Sequence, residues 1–244
     1  MNIYKLAQIV KNLADNGFES LDDVPVSVLR QVLLNHMVTG VNMSTDLSTG
    51  YIKTLAKGSA SSTNTLSMFV NTASGVRLNG VANVITADVM ASNGVVHVVD
   101  AVIGLPTIVT HATANPNFST LVGALTAEGQ PDFVGILSGT ASSPFTVFAP
   151  SNAAFETFES QNPGTIASLT SAQLTAVLSY HVVAGANVLS TGIPTGPITT
   201  YETGTFTVSG TTITDEASRQ TNIVAVDVQA TNGVIHVIDN VILP

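Results

Sequence analysis

The sequence predicts an α+β fold written twice, and three observations predict it. One strand recurs almost unchanged in mid-chain and at the end, two pairs of histidines occupy matching positions, and each copy places helical spacing before alternating strands. The recurring strand reads NGVVHVVDAVI at 93–103 and NGVIHVIDNVI at 232–242, so His97 and Asp100 face His236 and Asp239 at an offset of 139. The match extends upstream through NVITADVMA (83–91) and NIVAVDVQA (222–230). A second pair, VLLNHMVTG (32–40) and VLSYHVVAG (177–185), sets His36 against His181 at an offset of 145. A period near 140 residues is too long for a solenoid unit and suits tandem globular domains, here 1–106 and 107–244.

Each element has a local cause. In the first copy Leu29, Val32, Leu33 and His36 recur at helical spacing, and in the second Leu174, Val177, Leu178 and His181 do the same. Pro25 suits a first helical turn, and Thr170 with Gln173 has the form of a capping box. In FAPSNAAF (148–155) Pro150 stops a strand, and Ser151 or Asn152 caps a helix beginning at Ala153. The stretches TLSMFV (65–70) and TFTVSGTTIT (205–214) alternate as strands, and an Asn-Gly turn feeds each copy of the repeated strand. Both faces of the final strand are apolar, which predicts a central strand whose His236 and Asp239 must find hydrogen-bond partners. The first ten residues, MNIYKLAQIV, read as a helix with Leu6, Ile9 and Val10 on one face.

Composition narrows the function. Only 9% of residues are charged, against about 25% in an average domain, so the surface is largely neutral and polar and self-association is easier than average. Residues 1–106 hold six Lys/Arg and seven Asp/Glu, whereas 107–244 hold one, Arg219, and nine. No cluster of cations is available for nucleic-acid phosphates. Cysteine is absent, which excludes disulfides, thiolate metal sites and a thiol nucleophile. No apolar run approaches the roughly 20 residues of a membrane span, and any export signal is expected to lie outside this sequence.

Catalytic and metal chemistry find little support. The histidines show neither metal spacing nor a His-x-x-x-His helix, so no metal or other cofactor is expected and the histidines read as core residues with satisfied nitrogens. His236 and Asp239 stand three apart on a strand and face opposite sides, which excludes them as a catalytic dyad. No nucleophile elbow, phosphate loop or dinucleotide fingerprint occurs, so no catalytic residue is assigned. Asp88 and Asp227 read as strand-end acids that hydrogen-bond a turn. Asn42 and Asn117 fit the glycosylation sequon, a pattern that Asn- and Ser-rich chains often match by chance.

FTVFAPSNAAF (145–155), Tyr180-His181 and NGVIHVIDNVILP (232–244) together resemble the three ordered motifs of the fasciclin domain family. The resemblance covers 107–244 as a complete domain and 1–106 as a domain lacking its N-terminal part, with Asn35 where the motif has tyrosine. It implies tandem α+β domains, each with helices packed on a mainly antiparallel β-sandwich or wedge. It also implies a non-catalytic adhesion or matrix role, with a protein or glycan partner at a cell surface or matrix, in a secreted, cell-surface or periplasmic protein. Asn152, Tyr180, His181, His36, His97, His236, Asp100 and Asp239 fall on structural motif positions, and Asn152 is expected to bond His181. The Asp-Ile pair that some animal members use for adhesion falls on Asp88-Val89 and Asp227-Val228, with valine for isoleucine. The alternative expectation is a structural subunit of an extracellular assembly in which a neighbour completes the first domain.

Overall fold

A computed structural model describes residues 24–244, so the helix read over the first ten residues lies outside the described residues. The chain divides into two compact units, one ending at Pro106 and the other running Thr107–Pro244, with Ser59–Ser61 grouped with the second. Helices and mainly antiparallel sheets make both units α+β.

The first unit opens with helix α1 (Val26–Asn35), entered from Pro25, whose fixed φ of -54° suits the position before a first turn. A 3-10 turn (Ser44–Asp46) leads to five strands. These are β1 (Gly50–Lys57), β2 (Thr65–Asn71), β3 (Arg77–Leu78), β4 (Ala82–Ala91) and β5 (Gly94–Val99), paired in sequence order as an antiparallel meander. Met68, Ala82 and Ile103 form a small core, with Ile52, Leu78 and Val99 packed against it.

The second unit begins with α2 (Ile108–Ala114), α3 (Ser119–Leu125) and α4 (Phe133–Ser138), followed by β6 (Phe145–Pro150). Then come α5 (Asn152–Gln161), α6 (Thr165–Ser168) and α7 (Ser171–Tyr180). The remaining strands are β7 (Val182–Ala184), β8 (Ile198–Thr199), β9 (Thr205–Ser209), β10 (Thr212–Thr214), β11 (Gln220–Ala230) and β12 (Gly233–Ile238). The capping box predicted at Thr170 and Gln173 forms, and Ser151 caps α5 by accepting from the Ala154 N–H at 3.2 Å. The sheet order is β7-β6-β12-β11-β10-β9-β8, with β12 parallel to β6 and every other pairing antiparallel. Phe148, Tyr180, Phe206, Ile213, Ile238 and Ile242 are buried together, and Phe206 meets Phe148 edge-on with ring centroids 5.0 Å apart. Such pairs add about 0.5–1.5 kcal/mol beyond burial.

The final strand β12 is central, as its two apolar faces predict, whereas β5 ends its sheet among the described residues. The predicted Asn-Gly turn takes a different form. The hairpin residues are Ser92-Asn93 and Thr231-Asn232, while Gly94 and Gly233 already pair as the first strand residues, and neither has a positive φ. Gly233 is required by close approach: a Cβ there would lie 2.1 Å from the Phe145 carbonyl oxygen of the parallel neighbour β6. A Cβ on Gly94 would meet nothing.

Candidate functional site

The repeated histidines and aspartates make matching bonds in both units, with one exception at His236 Nδ1, and these bonds define the motif region. At the end of α1, His36 Nδ1 donates to the Val32 carbonyl at 2.7 Å and Nε2 accepts from the Ile103 N–H at 3.0 Å. At the end of α7, His181 Nδ1 donates to the Val177 carbonyl at 2.7 Å and Nε2 accepts from the Ile242 N–H at 3.3 Å. Each ring therefore staples a helix end to the chain segment that follows the repeated strand. His181 is buried, and burial pulls its pKa down from 6.5 to about 4 against the opposing pull of the Val177 carbonyl.

The neighbouring motif residue differs between copies. Tyr180 donates its hydroxyl to the Thr205 carbonyl at 2.6 Å, whereas Asn35, fully buried, donates to the carbonyls of Ile103 and Gly104 at 3.3 and 2.9 Å. The expected bond between Asn152 and His181 is absent. Both His181 nitrogens are occupied by backbone, and Asn152 instead accepts from the Thr120 N–H and donates to the Pro116 carbonyl and Ser119 Oγ. Its role is to tie the start of α5 to the start of α3.

The strand histidines use the opposite tautomer. His97 Nε2 donates to the Asn42 carbonyl at 2.8 Å and Nδ1 accepts from the Asp88 N–H at 3.4 Å. His236 Nε2 donates to the Val188 carbonyl at 2.9 Å, and its Nδ1 is buried without a partner. The expectation of core histidines with satisfied nitrogens therefore holds for His181 but fails at His236 Nδ1 and at His36, which is exposed. Burial lowers the pKa of His236, while the Val188 carbonyl and the nearby Asp227 pull upward. Asp100 accepts from the N–H and Nδ2 of Asn83 at 2.7 and 2.8 Å, and Asp239 accepts from the same two groups of Asn222 at 2.7 and 3.0 Å. The Asn83 bonds hold the Asp100 carboxyl below its usual value.

Asp88 and Asp227 are placed differently from the strand-end acids that were expected. Each stands inside its strand, at an irregularity that shifts the β4–β5 register between Thr86 and Val89 and the β11–β12 register between Ala225 and Val228. Their φ values are 59° and 62°, the left-handed region that aspartate tolerates better than most residues. The bulge re-aims each carboxylate onto the beginning of a 3-10 turn. Asp88 accepts from the Ser44 N–H at 2.8 Å and Oγ at 2.5 Å, and Asp227 accepts from the Ser190 N–H at 2.8 Å and Oγ at 2.6 Å. The Ser44 hydroxyl and then its N–H lower the Asp88 pKa. Sequence reasoning missed Ser44 and Ser190 because a one-residue change of spacing gives them an offset of 146. It also missed Asn83 and Asn222, although these repeat at the offset of 139.

Serine, aspartate and histidine thus meet in each unit, but in roles unlike those of a catalytic triad. The serine hydroxyl donates to the carboxylate, and no histidine nitrogen reaches it as a base. Among the described residues, no group of three or more metal-ligating side chains converges, and no helix is long and apolar enough to cross a membrane. We expect Asp227→Ala to lower the stability of its unit by about 2 kcal/mol, through two lost charge-assisted bonds and an alanine forced to positive φ. Urea titration checks this, and Asp227→Asn, which keeps an acceptor and tolerates that φ, should lose less.

The neighbouring valines separate the copies. Val89 is 45% exposed and its counterpart Val228 only 4%. Met90 and Val96 are 65% and 52% exposed, whereas the residues opposite them in the repeat, Gln229 and Ile235, are each 1% exposed. Of the two sequons, Asn42 donates its amide to the Thr39 carbonyl and Asn117 is exposed.

Two α+β units whose repeated polar residues are bound chiefly to backbone define a scaffold held by internal staples. The chain belongs to the fasciclin domain family, whose family model, described as fasciclin domain, matches residues 8–106 and 116–244. Protein sll1483 of Synechocystis sp. is 40% identical over 144 residues, covering 57% of this chain and 73% of that protein. The immunogenic protein MPB70 of Mycobacterium bovis is 32% identical over 137 residues, covering 54% and 66%. The cell surface glycolipoprotein MPB83 of the same species is 34% identical over 139 residues, covering 56% of this chain and 60% of that protein. Among solved structures, a FAS1 domain pair from the insect cell adhesion molecule fasciclin I aligns with a TM-score of 0.58 at 21% identity. That alignment covers 96% of this chain and 86% of the other and establishes the shared fold.

Proposed function

We propose that this chain is a non-catalytic adhesion or matrix-associated module, secreted or held at a cell surface or in the periplasm, that binds a protein or glycan there through its own surface. The observation that supports it best is an apolar strip on β4 and β5 formed by the cross-strand partners Val89 and Val96, both exposed beside Asp88. Contiguous exposed apolar residues mark interaction surfaces more often than singly scattered ones. The Asp88–Ser44 pair supports this reading by fixing the bulge that presents Val89. The names of the relatives, a cell surface glycolipoprotein and a cell adhesion molecule, point the same way.

The double variant Val89→Asp, Val96→Lys tests the strip. Attachment of source cells to surfaces coated with this variant should fall at least about fivefold, a loss of roughly 1 kcal/mol, at an unchanged melting temperature. Equal attachment would remove the strip from the reading.

One observation supports a second reading, a structural subunit. The strand β5 ends its sheet among the described residues, whereas its counterpart β12 has β6 alongside. A strand end of this kind can receive a strand from another chain. Light scattering across a concentration range separates the readings, with oligomers expected for the subunit and a monomer for the simple module.

A further inference from the structure

We propose that the cleft between α3, α5, α6 and α7 of the second unit binds a small apolar molecule carrying one positive charge, of the alkyl-ammonium class. The cleft has a volume of about 780 Å³, and its walls include Phe155, Phe158, Ile166, Leu174, Val177 and Leu243. Sites for small molecules span roughly 300–1,000 Å³. This space is therefore of ligand size.

Charge selects the ligand class. No lysine or arginine lines the cleft, whereas Glu156 and Glu159, neighbours one turn apart on α5, both do. Arg219 is the single cationic side chain in 107–244, and it is bound to Asp215 at 2.9 Å. An anionic ligand would meet only like charge, and a cation would meet the opposite one. Among the other polar wall residues, Asn152, Ser160 and both nitrogens of His181 are already bonded.

Glu159 is the exception. One carboxylate oxygen accepts from the Gly164 N–H, and the other, Oε2, is buried without a hydrogen-bond partner. A buried acceptor left unsatisfied is unfavourable, and a small turn of the carboxylate toward the cleft would let an ammonium donate to it. The apolar walls would hold the alkyl body, and the acids of α5 would hold the head. This inference is independent of the adhesion reading, which concerns the other unit.

The test is calorimetric titration of the whole chain at neutral pH with octylammonium, octanol and octanoate. Octylammonium should bind at least about tenfold more tightly than octanoate, with octanol between them. Glu159→Gln should weaken octylammonium about fivefold and leave octanol within about twofold. Ala167→Trp, placed at an exposed position on the cleft wall, should abolish binding of all three at an unchanged melting temperature. Absence of binding by every probe at millimolar concentration overturns the proposal. So does octanoate binding as tightly as octylammonium, or undiminished binding in a folded Ala167→Trp. Should that variant melt early, the charge series and Glu159→Gln decide alone.

Discussion

Gly233→Ala is expected to destabilise the second unit by about 3 kcal/mol, while Gly94→Ala, at the matching position of the first, should leave its unit unchanged or up to about 1 kcal/mol more stable. The two glycines occupy the same place in the same repeat, so local propensity predicts equal effects. Their surroundings differ. A methyl group on Gly233 would overlap the Phe145 carbonyl and come within 2.9 Å of Ile108 Cδ1, and neither the parallel ladder nor helix α2 can yield without breaking other contacts. At Gly94 the methyl group meets open space and restricts only the unfolded chain. Urea unfolding followed by far-ultraviolet circular dichroism measures both. Equal losses at the two sites would show that the glycines are required by the turn itself and that the β6 contact is irrelevant.

His181→Ala should cost about 2–3 kcal/mol, because it leaves the Val177 carbonyl and the Ile242 N–H buried without partners and opens a cavity. His36→Ala removes the same two bonds at an exposed site and should cost less, since water can replace them. A His181→Ala protein that melts like wild type yet loses attachment would overturn the structural role. The same ring predicts a pH dependence. Its pKa is near 4 when folded and 6.5 in the reference state, so the folded chain binds fewer protons between those values. The stabilisation is complete above pH 6.5 and is lost as pH falls toward 4, for a total of about 3 kcal/mol. Protonation would set an Nε2–H against the Ile242 N–H, which gives the loss its chemical cause. His236 is shifted in the same direction by burial and adds to the slope.

Asp88 and Asp100 act in a lower window. Their folded pKa values lie below 3.8, held there by Ser44 and Asn83, so their contribution is present above 3.8 and disappears as pH falls through the folded values. Urea midpoints at a series of pH values should therefore decline first between 6.5 and 4 and again below 3.8. His181→Gln should flatten the first decline and leave the second.

The sequence by itself determined the duplication, the fold class and the place of the family motifs. Those features are carried by period: helical spacing around His36 and His181, alternation around His97 and His236, and constant offsets between the copies. Capping at Thr170 was legible for the same reason, because a capping box spans only four residues. The bonds of Asn83 to Asp100 and of Asn222 to Asp239 repeat at the constant offset, yet the partners stand 17 residues apart and nothing local pairs them. The Ser44–Asp88 and Ser190–Asp227 bonds join segments 44 and 37 residues apart, and no local pattern marks them.

Tertiary structure decided which particular residues of the repeat are covered in one copy and bare in the other. Val89 and Val228 follow the same aspartate in the same bulge, yet one is exposed and the other is not. The cleft walled by α5, α6 and α7 likewise exists only once those helices pack, because each contributes a few apolar residues that are unremarkable in sequence. Local patterns specify which way a side chain points along its own element. Whether another element covers it depends on contacts between residues far apart in the chain, which periodicity does not encode.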